Sequence, residues 1–167
     1  LSEKQRVVDA PNIERDIIGW YKADDISVIC VFYVRNGCLI DSQSFTFSGG
    51  EIFDDAAVCE FIYELYTQRG FIPHEVVLAN DINEEDRTLA ESWLREKAGY
   101  AVHLHISKRG NLHQFCQNVI QNAQMKAEEY RRTSEQVEKS LARLASLCAL
   151  EVLPERIESF DISNYGN

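Results

Sequence analysis

Ser27-Val-Ile-Cys-Val-Phe-Tyr-Val34, Arg35, Asn36-Gly37 and Cys38-Leu-Ile-Asp-Ser-Gln-Ser-Phe-Thr-Phe47 form the stretch that decides the fold. The first run is almost entirely apolar and rich in β-branched residues, the pattern of a strand buried on both faces. Asn-Gly is the strongest short hairpin signal, because both residues tolerate the positive φ that a tight turn requires. The second run is again strand-like. Leu39 and Ile40, then Phe45 and Phe47, are expected on one inward face.

Upstream, Asp16-Ile-Ile-Gly-Trp-Tyr21 reads as another strand, giving an antiparallel meander of three. Residues 1–15 are polar, are interrupted by Pro11 and read as a linker tail. Downstream the periodicity changes to helical. Asp54 or Asp55 opens a helix that carries Ala57, Val58, Phe61, Ile62, Leu65 and Tyr66 inward and stops at Gly70. His74 to Ala79 is a fourth strand. Asn83 starts a second helix, with Leu89, Trp93 and Leu94 inward, that ends at Gly99. Tyr100 to Ile106 is a fifth strand. From Asn111 a long helical pattern runs to Leu150, with a mostly polar middle from Gln124 to Ser140, so its far half is expected to leave the core. The order β-β-β-α-β-α-β-α, a mixed α/β sheet with a long C-terminal helix, is that of the ribonuclease H-like fold. Such an analogy fixes no activity.

At 167 residues the chain can bury one proper core. No run approaches the roughly 18 apolar residues of a membrane span, so no membrane association is expected. The five cysteines (Cys30, Cys38, Cys59, Cys116 and Cys148) are scattered and form no CxxC pair. That argues against a disulfide framework and for a reducing, cytoplasmic setting. The net charge of -10 opposes attraction to nucleic acid, so at most weak DNA binding is expected of this chain alone.

Several residues are candidates for chemistry. Asp16, Glu60 and Asp81 occupy positions from which a ribonuclease H-like sheet could gather carboxylates around two metals. The plainer reading is three solvated acids at element ends. His103 and His105 share a strand face, but no third zinc ligand accompanies them. Lys108 and Arg109 precede the long helix, where backbone N–H groups and two cations suit a phosphate. The charges of the long helix's polar middle are mixed in sign, as on a solvated helix. Beyond the proline at 154, Arg156 to Ile162 reads as a strand with Asp161 at its centre. A mid-strand acid among apolar neighbours is costly unless paired or metal-bound. Residues 151–167 are thus expected to begin a further domain that continues beyond Asn167, and the absence of an initiator Met fits a piece of a longer protein.

Arg156-Ile-Glu-Ser-Phe-Asp-Ile-Ser-Asn164 closely resembles the motif that opens the nuclease domain of the bacterial excinuclease UvrC family. Weaker resemblances follow in the family's order: Gln5-Arg-Val-Val8, Asp16-Ile-Ile-Gly19, Val34-Arg-Asn-Gly37, Lys108-Arg-Gly110 and Asn122-Ala123. One departure is Gly166, which follows Asn164 after a single residue where the family commonly has two. The resemblance implies the dual incisions of nucleotide excision repair, with damaged DNA and UvrB as partners of the full-length protein. It makes Asp161 the first carboxylate of the 5′-incision site, holding Mg or Mn only in the full-length protein; no cofactor is expected for this chain alone. Residues 16–150 are then a middle domain, ribonuclease H-like and without catalytic residues, that supports the nuclease. Two other readings stand beside it: a metal-dependent nuclease in its own right, and a protein-docking module using the long helix.

Overall fold

The computed structural model describes residues 14–48 and 53–159. Eight elements follow one another: β1 (Arg15–Lys22), β2 (Ile26–Arg35), β3 (Cys38–Ser48), α1 (Asp55–Arg69), β4 (Glu75–Leu78), α2 (Glu84–Ala98), β5 (His103–Ile106) and α3 (Gly110–Leu147). The chain divides into two compact units, Leu1–Glu128 and Glu129–Asn167.

In the first unit one sheet has the order β3-β2-β1-β4-β5. β1, β2 and β3 form the expected antiparallel meander, and β4 and β5 run parallel to β1. At the hairpin tip Asn36 and Gly37 take φ of 52° and 68°, as a primed turn demands. β2 is buried along all but its last residue, so its unbroken apolar run has a direct cause.

Period-two alternation along β1 sorts side chains onto two cores. Ile18 joins Ile29, Val31, Tyr33 and the helices α1 and α2 on one face. Ile17 joins Val28, Cys30, Phe32 and the first half of α3 on the other, where Cys116, Val119, Ala123 and Ala127 recur at helical spacing. Gly19 lets α3 approach β1: a Cβ there would lie 2.9 Å from both the Ala79 Cβ and the Val119 Cγ1. Burial raises the thiols of Cys30, Cys59 and Cys116 to about 11, so these are inert core groups.

Helix ends follow their side chains. The Asp54 carboxylate accepts from the Ala57 N–H (3.0 Å) and the Asn83 side chain from the Asp86 N–H (2.8 Å). Gly70 and Gly99 close α1 and α2 at φ of 67° and 75°. In the second unit α3 ends with Ala149 at φ 51°, and the Leu150 N–H reaches back to the Ala145 carbonyl (2.9 Å).

Five expectations need correction. Leu39 packs into the α3-side core while Phe45 and Phe47 pack against the α1-side one, because the bulge between them switches the face. Ile40 is 59% exposed, because a bulge between the Tyr33–Asp41 and Val34–Leu39 pairs leaves it as the extra residue. Leu89 is exposed, and Ala90 fills the inward position of that turn. Asp16 is no solvated end residue but is fully buried. Residues 156–159 are irregular rather than extended into a ladder, and the second unit has no described strand of its own to pair their backbone groups. The remainder of that expected strand, Asp161 included, lies outside the described residues.

Candidate functional site

Asp16 enters the sheet at the start of β1, opposite Tyr33 on β2 and beside Val76 on β4. One carboxylate oxygen accepts from Arg35 Nη1 at 2.8 Å and the other from the Tyr66 hydroxyl at 3.0 Å. Arg35 also donates to the carbonyls of Arg15 and Val34. Burial raises the Asp16 carboxyl above its ordinary range, against the lowering pull of Arg35 and Tyr66. With both oxygens occupied and no exposure, Asp16 is a structural ion.

The neighbouring residue faces the opposite way. Arg15 Nε stands 2.9 Å from Glu75 Oε2, and His105 Nε2 lies 2.7 Å from Glu75 Oε1. The Arg15 N–H is not directed at its oxygen, so the two atoms attract as charges without a formed hydrogen bond. Burial pushes the Glu75 carboxyl up, but the His105 hydrogen bond and the Arg15 charge together outweigh it and hold the group below its usual range. His105 therefore belongs to an ion cluster, while His103 is exposed at the sheet edge, its ring nitrogen 3.9 Å from Glu91.

In open α/β sheets ligands gather beyond the carboxyl ends of parallel strands. Here that crevice lies past β1 and β4. Asn80 closes it: its side-chain oxygen accepts from the Trp20 N–H at 2.9 Å and its amide donates to the Trp20 carbonyl at 3.1 Å. The amide thus continues the β1–β4 ladder, which has just formed an Ala79 N–H to Ile18 carbonyl bond of 2.7 Å. Beside it a shallow hollow of about 480 Å³ is lined by Lys22, Asp54, Asp55, Asn83 and Asp86. Its acids are engaged in helix ends. Asp54 caps α1, Asp55 accepts from the Asn83 backbone and side chain, and Asp86 accepts from the Asn83 amide. The Lys22 ammonium lies against the Phe53 carbonyl.

The three acids singled out in the sequence are not brought together. Asp16 is sealed at the opposite end of β1, Glu60 sits on the exposed face of α1 beside β3, and Asp81 pairs with Lys108 at 3.7 Å. Among the described residues no group of three or more His, Cys, Asp or Glu side chains is placed to hold a metal ion. Lys108 and Arg109 are exposed just before α3. The sequence marks Arg35 only within Val34-Arg-Asn-Gly37, not as the partner of Asp16, and does not mark Asn80.

Residues 14–130 match the family model described as the UvrC ribonuclease H-like domain. The chain belongs to that family. It is 39% identical to the UvrABC system protein C of Ruminiclostridium cellulolyticum over all of this chain and 28% of that protein. With the same protein of Geotalea daltonii it shares 36% identity over 97% of this chain and 25% of that one. It therefore spans about a quarter of the length of these UvrC relatives. Among solved structures, the ribonuclease H1 of Halobacterium salinarum is similar at a TM-score of 0.38 and 12% identity, over 68% of this chain and 98% of that one. The UvrC match ends three residues past Ala127, the last core position of the first half of α3.

Proposed function

We propose that this chain is a non-catalytic supporting domain of the DNA-incising subunit of the UvrABC nucleotide excision repair system, next to the 5′-incision nuclease. The observation that carries the reading is the Asn80–Trp20 clasp at the carboxyl ends of β1 and β4, where a nuclease of this sheet type would need gathered carboxylates. A sheet with two full cores and a sealed crevice is suited to hold a neighbour's geometry, not to cut.

In this reading the full-length protein works on damaged DNA with UvrB, in the cytoplasm. Asp161 supplies the first carboxylate of a Mg or Mn site there. One carboxylate does not enclose a divalent ion, so that site takes its other ligands from residues beyond those of this chain. Lys108 and Arg109 are the local cations available to a phosphate.

The test has two arms. The isolated chain, incubated with damaged duplex and Mg²⁺ or Mn²⁺, is expected to leave the DNA intact. Metal-dependent cleavage by the isolated chain would establish the competing nuclease. In full-length UvrC, Asp161→Ala is expected to remove the 5′ incision and leave the other; retention of both would overturn the role of Asp161.

A docking role for α3 has its own support in the exposed Tyr130, Val137 and Leu147 of the second unit. Capture of a repair partner by residues 111–150 alone would favour it over a purely supporting role.

A further inference from the structure

β3 is the outer strand of the sheet and is 11 residues long. Long edge strands are normally blunted by lysine, proline or bulges, because their unpaired backbone groups template another strand. The only irregularity in β3 lies at its beginning, where Ile40 bulges. From Gln43 to Phe47 it is regular and carries neither charge nor proline.

A groove of about 910 Å³ lies between this half of β3 and α1. Its floor is aromatic: Phe45 packs edge-on against Phe61 with ring centroids 4.9 Å apart, and Phe47 meets Phe61 at 6.2 Å. Its wall presents Glu60 and Glu64, one helical turn apart and both exposed. Glu64 accepts a hydrogen bond from Gln68, and neither glutamate has a cationic partner among the described residues. Arg69 lines the groove's far end, where its guanidinium is held over the Tyr33 ring at 3.7 Å.

We infer that this groove is a docking site for an extended segment of a protein partner carrying Lys or Arg at alternate positions. An added strand bonds to the free β3 edge through its backbone. Every second side chain then faces the groove, at a repeat of about 6.8 Å. That nearly matches the axial separation of about 6.0 Å between Glu60 and Glu64, four residues at about 1.5 Å each. Lys and Arg stems cover the phenylalanine floor while their charged ends meet the carboxylates. Charge selects this occupant over two others. Duplex DNA is repelled by the glutamates, and a second copy of a chain with net charge -10 is repelled as well. The groove uses neither Asp161 nor the Asn80 clasp, so its occupancy does not depend on the repair reading.

The test uses the whole chain and a short fluorescein-labelled peptide alternating Lys and Val. Anisotropy is expected to show saturable binding, with NMR amide shifts confined to Gln43–Phe47 and the facing side of α1. The double change Glu60→Lys, Glu64→Lys, on exposed helix positions where Lys is as good a helix former as Glu, is expected to weaken binding by about tenfold or more. A peptide of the same composition with its lysines in one block is expected to bind far less. Equal affinity for the two peptides, or amide shifts spread over the acidic surface, would overturn the proposal. So would shifts of the same Gln43–Phe47 amides on adding duplex DNA without peptide, or β3-mediated self-association of the free chain.

Discussion

Asp16 and Arg35 form a pair whose removal and replacement should differ sharply. Breaking a buried ion pair from one side leaves a stranded charge and typically costs about 3–5 kcal/mol. Arg35→Ala, which leaves the fully buried Asp16 carboxylate with the Tyr66 hydroxyl alone, is expected to fall in that range by urea unfolding. The triple change Asp16→Leu, Arg35→Met, Tyr66→Phe removes every polar member and should recover most of the loss. Glu75 offers a pH prediction of definite sign. Its folded carboxyl lies below its ordinary value of 4.5, so its stabilising contribution is complete above that value and fades as pH falls through the lowered one. The gap in unfolding free energy between the native chain and Glu75→Gln should therefore narrow as pH falls below about 4.5. Asp16, whose carboxyl is raised, works in the opposite direction. These two acids also show where sequence reading stops. Asp16 is legible as a strand-start acid, but its burial depends on register with Arg35 and on a hydroxyl 50 residues away.

Among the elements, the strands and helices were legible because each carries a clean period and chemical punctuation. Asn36-Gly37, Asp54, Gly70, Asn83 and Gly99 mark boundaries by local backbone needs that no tertiary contact has to supply. Ile40 and Leu89 were misplaced for related reasons. A bulge shifts the face assignment by one residue without any local signal, and the α2 stripe turns on a small alanine that hydrophobicity alone undervalues. Gly19 carries an element-scale prediction. Its missing Cβ is the space into which α3 settles, so Gly19→Val overpacks the β1–α3 contact. A loss of about 1–3 kcal/mol is expected by thermal or urea unfolding, with amide shifts focused on Ala79 and Val119.

At the scale of the whole molecule, the described residues of both cores lie no further along the chain than Ala127. A chain ending at Glu128 should therefore keep a cooperative thermal transition by circular dichroism; a broad, non-cooperative melt would contradict this. The overall order of elements was readable, and with it the family resemblance that the match over residues 14–130 bears out. The state of the crevice was not readable. Its decisive contact joins residues 60 apart, Trp20 and Asn80, through backbone atoms common to every sequence.

The Asn80 clasp makes an acidic crevice costly to reach by mutation. A single base change can turn asparagine into aspartate, yet the aspartate would set a carboxylate oxygen against the Trp20 carbonyl where an amide now donates. Asn80→Asp is expected to lower the melting temperature while adding no metal-dependent stabilisation, which calorimetry with and without Mg²⁺ would check.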